Sequence, residues 1–265
     1  RAAHESLGPD AETRLPYVGM ILGVGTGKTV ELCLRRIADK LERGALKDVL
    51  CLPTSDATAR LLENLKLPTL RHDSDASVDL AIGGCDAVDG QKHVLKGGKG
   101  AMLREKLLRD AARAWVVCCA EEKVCDAVGS TYPIPVAPGV RALVRCRRDG
   151  KPSQVEVAPA YHQRTLRKLA NLPSLQPAVA RLRAGAAPAG FPGCAMPGDD
   201  GAAVYKTDNG NLIVDLFLEA PLRDVRRAAD DLSRTAGVVE HGLLPADENP
   251  PIVVVGRADG TATRL

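Results

Sequence analysis

The sequence predicts an α/β protein: a doubly wound parallel sheet with a smaller α+β domain inserted before its last strands. Three observations predict it. Short apolar runs alternate with segments of helical periodicity across residues 20–117, the pattern of right-handed βαβ units. Residues 141–157 break that rhythm, alternating in places and carrying the turn signal Asp149-Gly150. A late apolar run, Ile252 to Val255, follows Pro250-Pro251, which excludes helix just before it.

The elements follow in order. Met20-Ile-Leu-Gly-Val reads as a strand and leads into a Gly/Thr turn at Gly25 to Gly27. A helix comes next, with Leu32, Leu34, Ile37, Ala38 and Leu41 near helical spacing. Asp48 to Leu52 is a second strand, and Thr54-Ser55-Asp56 is an N-cap cluster opening a helix through Leu65. Val78 to Ile82 and Ala114 to Val117 are the third and fourth strands, separated by a helix from Met102 to Ala112. Ala158 to Leu169 reads as helix, and residues 184–203, rich in Ala, Gly and Pro, as an irregular loop. Asn211 to Phe217 is a strand, Leu222 to Thr235 an amphipathic helix, and Val238-Val-Glu a late strand. The expected domains are 1–130 with 238–265, and 131–237.

Composition narrows the class. The 265 residues are 45% hydrophobic and 26% charged, the balance of a globular chain. Aromatics are 3%, so the core rests on Leu, Val, Ile and Ala. The net charge of +3 is spread along the chain, with no basic block for nucleic acid, although a weakly positive site for an anionic metabolite is compatible with it. Eight cysteines include no Cys-x-x-Cys pair and no zinc spacing, which reads as buried thiols in a reducing compartment. No stretch is apolar and long enough for a membrane span. The start at Arg1, without Met or a secretory segment, fits cytosol or an organelle lumen such as matrix or stroma.

Three clusters can carry chemistry. Gly23-Val-Gly25-Thr26-Gly27-Lys28-Thr29 joins a strand to a helix, where free N–H groups and the positive helix end attract an anion. Lys28 stands where a dinucleotide fingerprint needs Gly, and Leu22 where a P-loop does. By itself the turn suits phosphate binding or plain tight packing. Lys96-Gly97-Gly98-Lys99-Gly100 lets a backbone approach a ligand and places a cation near a developing oxyanion, with Glu105 at the start of the next helix. A mobile loop and a solvated helix start fit equally. Ile82-Gly83-Gly84-Cys85-Asp86 ends the third strand. Open α/β sheets bind ligands beyond their strand C-termini, and the turn, Asp86 and the Lys96 loop are all expected to leave strands at that edge.

In this order and spacing, the clusters resemble type A ribose-5-phosphate isomerase. The matching stretches are Gly23-Val-Gly-Thr-Gly with Thr29, Pro53-Thr-Ser with Thr58, Asp79 to Asp86 with Val88-Asp89, and Lys96-Gly-Gly-x-Gly-Ala. They continue with Leu103-Arg-Glu-Lys106, Lys123, Tyr132-Pro-Ile-Pro-Val136 and Thr207-Asp-Asn-Gly-Asn211. The resemblance runs from residue 17 to the C-terminus and is weak over 138–200. It implies a Rossmann-like domain plus a smaller α+β, ferredoxin-like domain, in dimers or tetramers, with no metal and no cofactor. It implies interconversion of ribose 5-phosphate and ribulose 5-phosphate through an enediolate. Glu105 would be the general base; a free glutamate, with a pKa of about 4.3, is ionised at neutral pH. Lys96 and the N–H groups of Gly97 and Gly98 would stabilise the enediolate oxygen, and Asp86 would assist ring opening. Gly25, Thr26, Gly27, Lys28, Thr29, Gly83, Gly84, Cys85, Lys99 and Lys123 would line the substrate.

The departures from the family pattern matter. Its Asp-Gly-Ala-Asp is here Gly83-Gly84-Cys85-Asp86, so the first acid, which takes part in ring opening, is missing. Lys28 replaces Ser, Lys99 replaces Gly, and Ala137 stands where Glu is usual; the acidic-small-Ser-Lys stretch is Cys119-Ala-Glu-Glu-Lys123. The usual basic N-terminal helix is not evident in residues 1–16. Three functions compete: an active isomerase slowed by the loss of one helper, a silent family member serving as structural subunit of a larger assembly, and a sugar-phosphate sensor without turnover. Cys85, were it exposed beside Asp86, would couple thiol alkylation to ligand binding.

Overall fold

Gly25 leaves the first strand and at once donates its N–H to Ile82 O of the neighbouring parallel strand at 2.8 Å. In a computed structural model of the chain, residues 19–71, 74, 76–129, 153–183, 204–218, 220–246 and 250–265 are described. The expectations for residues 1–16, the Asp149-Gly150 turn, Tyr132 to Ala137 and the loop 184–203 lie outside them.

The chain divides into two compact units. The first comprises residues up to Cys85, Arg104–Lys123 and Ala246–Leu265. Its strands are β1 (Ile21–Val24), β2 (Leu50–Pro53), β3 (Val78–Gly83), β6 (Ala112–Ala120), β13 (Ile252–Gly256) and β14 (Ala262–Arg264). They form one sheet in the order β14-β13-β6-β3-β1-β2, parallel except for β14. Helices α1 (Lys28–Glu42), α2 (Asp56–Asn64) and most of α3 (Met102–Asp110) belong with it. Leu22 and Val24 bury with Val30, Leu34 and Ile37 of α1 and Leu62 of α2. Gly23 points to the opposite face, where an added Cβ would lie 2.5 Å from Leu108 of α3. Helices thus cover both faces, as the sequence predicts for a doubly wound sheet.

The second unit comprises Asp86–Leu103 and Val124–Pro245. Strands β8 (Ser153–Val157), β9 (Ala178–Leu182), β10 (Leu212–Leu218) and β11 (Val238–His241) form an antiparallel sheet in the order β11-β8-β10-β9. With α4 (His162–Ala170) between β8 and β9, and α5 (Val225–Ser233) between β10 and β11, this is the split β-α-β-β-α-β arrangement. Val225, Ala228, Ala229 and Leu232 give α5 its buried stripe, and Asp224 caps it by accepting Arg227 N–H at 2.8 Å. A small sheet, β12-β5-β4-β7, joins β4 (Ala87–Asp89), β5 (Val94–Leu95), β7 (Val124–Cys125) and β12 (Leu243–Leu244).

That small sheet moves the boundaries. Residues 86–103, 124–130 and 238–245, expected with the first domain, fall in the second unit. The physical reason is burial: Ala87, Leu95 and Leu243 pack in one core with Val155, Val214, Leu216 and Leu232. Two-residue strands such as β5 and β12 are too short to announce themselves by period.

Candidate active site

Strand order sets the first unit's contribution. From β1 the chain crosses to β2 on one side, and β3 lies on the other, so the order reverses between β1 and β3. Ligands of open α/β sheets bind at such a reversal. Gly25 follows β1 there. A Cβ on it would sit 3.0 Å from Gly83 Cα, 3.1 Å from Ile82 O and 3.1 Å from Glu105 Oε1, so any side chain there would crowd two backbone atoms and the carboxylate.

Glu105 lies in the first turn of α3, as expected, and reaches back to the turn. Its Oε1 accepts the N–H of Thr26 at 3.2 Å. The Thr26 hydroxyl donates to Ser55 Oγ at 2.7 Å and lies 3.2 Å from both Thr54 and Thr58 hydroxyls, while Thr58 donates to Gly25 O at 3.0 Å. Thr26 therefore staples the turn to the start of α2, where Ser55 is the cap, accepting Thr58 N–H. Gly27 caps α1 with φ +130°, a region that favours glycine, and offers no side-chain cap. The N–H groups of Gly27, Lys28 and Thr29 find no acceptor among the described residues. They form the anion-attracting end of a 15-residue helix. The Lys28 side chain is exposed and Thr29 is half-buried.

Gly83 and Gly84 are half-buried at the end of β3, and no acid stands at Gly83. Cys85 is only 4% exposed, so the condition for coupling thiol alkylation to ligand binding is not met. Its carbonyl accepts Lys123 Nζ at 2.7 Å, so that lysine ties the exit of β3 to the turn that ends β6.

The second unit carries Asp86 and the glycine loop. The Lys96 loop leaves β5 of the small sheet rather than the parallel sheet, contrary to expectation. Lys96 is buried, and its N–H donates to Gly242 O at 2.8 Å. Asp86 Oδ2 accepts the N–H of Gly98 at 2.7 Å, and a Cβ at Gly98 would lie 2.7 Å from Asp86 Oδ1. In this structure the Gly98 amide, expected to face a ligand oxygen, donates to the carboxylate instead. Gly100 N–H donates to Gly97 O at 2.8 Å. Lys99 is exposed.

Three residues beneath this loop escaped the sequence reading. Arg183 and Asp215 form a fully buried two-pronged ion pair, and Arg183 Nη1 also donates to Gly98 O at 3.4 Å. Tyr205 donates its hydroxyl to Lys99 O at 3.3 Å, with Arg183 5.7 Å from its ring centre. Burial pushes the Asp215 carboxyl above the usual range, against the opposing pull of Arg183. One signal was available: Asp215 is the single charge in the buried strand Leu212-Ile-Val-Asp-Leu-Phe-Leu. Among the described residues no cluster of side chains is suited to hold a metal ion.

A parallel sheet with a glycine turn at its reversal point, a carboxylate held against that turn and no nucleotide fingerprint defines an α/β protein suited to a small anionic ligand. The sequence matches the family profile Ribose 5-phosphate isomerase A (phosphoriboisomerase A) over residues 50–148 and 140–260. It is 34% identical over 228 residues to the probable ribose-5-phosphate isomerase 1 of Arabidopsis thaliana, covering 85% of this chain and 74% of that one. The solved ribose 5-phosphate isomerase of Plasmodium falciparum superposes with a TM-score of 0.77 at 26% identity, covering 97% and 94% of the two chains. A D-ribose-5-phosphate isomerase solved in complex with phospho-erythronic acid superposes at 0.76 with 25% identity, over 97% and 94%. The chain belongs to the ribose 5-phosphate isomerase A family.

Proposed function

We propose that the protein interconverts ribose 5-phosphate and ribulose 5-phosphate. The observation that carries this is the Glu105 carboxylate, held by Thr26 N–H against the glycine turn at the point where strand order reverses. The free N–H groups at the start of α1 take the phosphate. Glu105 removes the C2 proton of the open-chain aldose, giving a cis-enediolate, and returns it to C1. Lys96 stabilises the charge on the enediolate oxygen, and Asp86 assists ring opening and the transfer of the hydroxyl proton. Gly83 supplies no acid, so turnover is slowed by part of the roughly 10²–10⁴-fold that one acid–base group contributes. The protein works as a homo-oligomer in a reducing compartment, cytosol or an organelle lumen, where the described thiols Cys33, Cys51, Cys85, Cys118, Cys119 and Cys125 stay free.

The silent-subunit and sensor readings gain no specific observation. Lys28 and Lys99, the substitutions that motivate them, expose their side chains to solvent and fill neither interior. The test is conversion of ribose 5-phosphate by the purified protein beside Glu105→Gln. The variant is expected to lose about 10²–10⁴-fold in kcat. Equal rates would remove Glu105 from the mechanism; no turnover by the unaltered protein would remove the isomerase reading.

A further inference from the structure

The loop Lys96-Gly97-Gly98-Lys99-Gly100 has five backbone N–H groups, and three are spent inside the second unit. Lys96 donates to Gly242 O, Gly98 to Asp86 Oδ2 and Gly100 to Gly97 O. The N–H groups of Gly97 and Lys99 find no acceptor among the described residues. The peptide joining Gly98 to Lys99 is trans, so the Gly98 carbonyl and the Lys99 N–H point in opposite directions. Whatever holds that carbonyl aims that N–H.

Arg183 holds the carbonyl. Its side chain is fully buried at the end of β9, fixed by two hydrogen bonds to Asp215 on β10 and stacked beside Tyr205. A guanidinium has a rigid fork with donors to spare, so it can serve a carboxylate and a carbonyl together, which an ammonium at one point cannot. Tyr205 holds the next carbonyl, that of Lys99, at 3.3 Å. A buried ion pair contributes little net stability against a well-packed apolar pair. Stability therefore does not explain why a fully buried arginine sits under this loop.

We propose that Arg183 is a positioning residue: by holding the Gly98 carbonyl it turns the Lys99 backbone N–H outward as the loop's donor to the developing oxyanion. This rests on the isomerase reading above. Gly98, whose N–H is bound to Asp86, is then a hinge for the acid rather than a donor to substrate.

Two comparisons test it with the full chain. The first pairs the native protein with the double variant Arg183→Met/Asp215→Leu, which removes both charges together. The expected result is a fall in kcat of about 10–100-fold with KM within about twofold, because a misplaced donor costs most in the transition state. Affinity for phospho-erythronic acid, whose carboxylate resembles the planar enediolate, falls by a similar factor. Affinity for ribitol 5-phosphate, which has the phosphate and no such group, stays within about twofold of native. The second comparison sets Lys99→Pro, which deletes the N–H itself, against Lys99→Ala, which keeps it. The proline variant is expected to be slower than the alanine variant by about 10²-fold.

The proposal is overturned if Lys99→Pro and Lys99→Ala turn over equally. It is also overturned if the folded double variant keeps native kcat, or if its two ligand affinities fall together as a purely structural loss would require. Should the double variant not fold, the Lys99 pair decides alone. Absence of turnover by the native protein would be a different failure, that of the isomerase reading.

Discussion

At the scale of single residues, two glycines are fixed by what they touch. Gly25 meets backbone and the Glu105 carboxylate; Gly98 meets the Asp86 carboxylate. In Gly98→Ala the new methyl lies 2.7 Å from Asp86 Oδ1, so the acid must swing away and lose its hydrogen bond. The expected outcome is a fall in kcat of about 10²-fold or less, since one helper is misplaced rather than deleted, with circular dichroism unchanged. Unaltered kcat in a folded variant would show that Asp86 need not be held there. The cysteines give a second prediction. Cys33 is half-buried, and the hydrogen bond from Cys118 holds its thiol below the ordinary range, whereas burial pushes Cys51 up to about 12 and Cys118 also lies well above its ordinary value. The thiolate is the reacting form, so iodoacetamide near pH 8 is expected to label Cys33 before Cys51, Cys85 or Cys118, as peptide mass spectrometry would read. First labelling at Cys85 would contradict its burial.

The elements show how placement follows from local sequence. Ser55 caps α2 and Asp224 caps α5, each accepting an N–H three residues on, at the boundaries the sequence predicts to within a few residues. Element pairing supplies the less local part. β9 and β10 face each other so that Arg183, one residue past β9, reaches Asp215. Removing one partner leaves a buried charge alone. Arg183→Met or Asp215→Leu singly is therefore expected to cost about 3–5 kcal/mol, whereas the double replacement should be neutral or more stable. Urea unfolding of the three variants would check this, and a double variant as unstable as the singles would mean the pair is not isolated. The raised Asp215 carboxyl has a matching pH consequence. Its native pKa lies above the unfolded value, so the stability it contributes is fully present below the ordinary carboxylate pKa and declines as pH rises through the native one.

At the scale of the whole molecule, the described residues form two hydrophobic cores, one built on β1, β3, β6 and β13 with α1 and α2, the other on β8, β10 and the small sheet with α5. Binding to the native state alone stabilises it by mass action. On the proposed isomerase function, phospho-erythronic acid is expected to bind, and at about 100 times its Kd it should add about 2.7 kcal/mol, on the order of 5 °C in Tm. No shift at that excess of a ligand shown to bind by calorimetry would mean that it also binds the unfolded chain. No helix among the described residues is long and apolar enough to cross a membrane.

The doubly wound sheet, the cap cluster before α2 and the chemistry-bearing clusters were legible because each is written locally. Apolar period, a capping hydroxyl, and glycine next to a charge need only neighbours along the chain. The family resemblance likewise singled out Glu105, at the start of the helix after the Lys96 loop. The sequence could not say that Thr26 N–H holds that carboxylate, that Asp86 occupies the Gly98 amide, or that Cys85 is buried. It also missed Arg183 altogether and misassigned residues 86–103, 124–130 and 238–245, which contribute Ala87, Leu95, Val128 and Leu243 to the second core. Those facts belong to pairings between residues far apart in the chain, such as Gly98 with Arg183 and Leu95 with Leu243. Such pairings arise when distant apolar surfaces bury together and carry their polar groups into reach, and a period or a motif records nothing of which partner that burial selects.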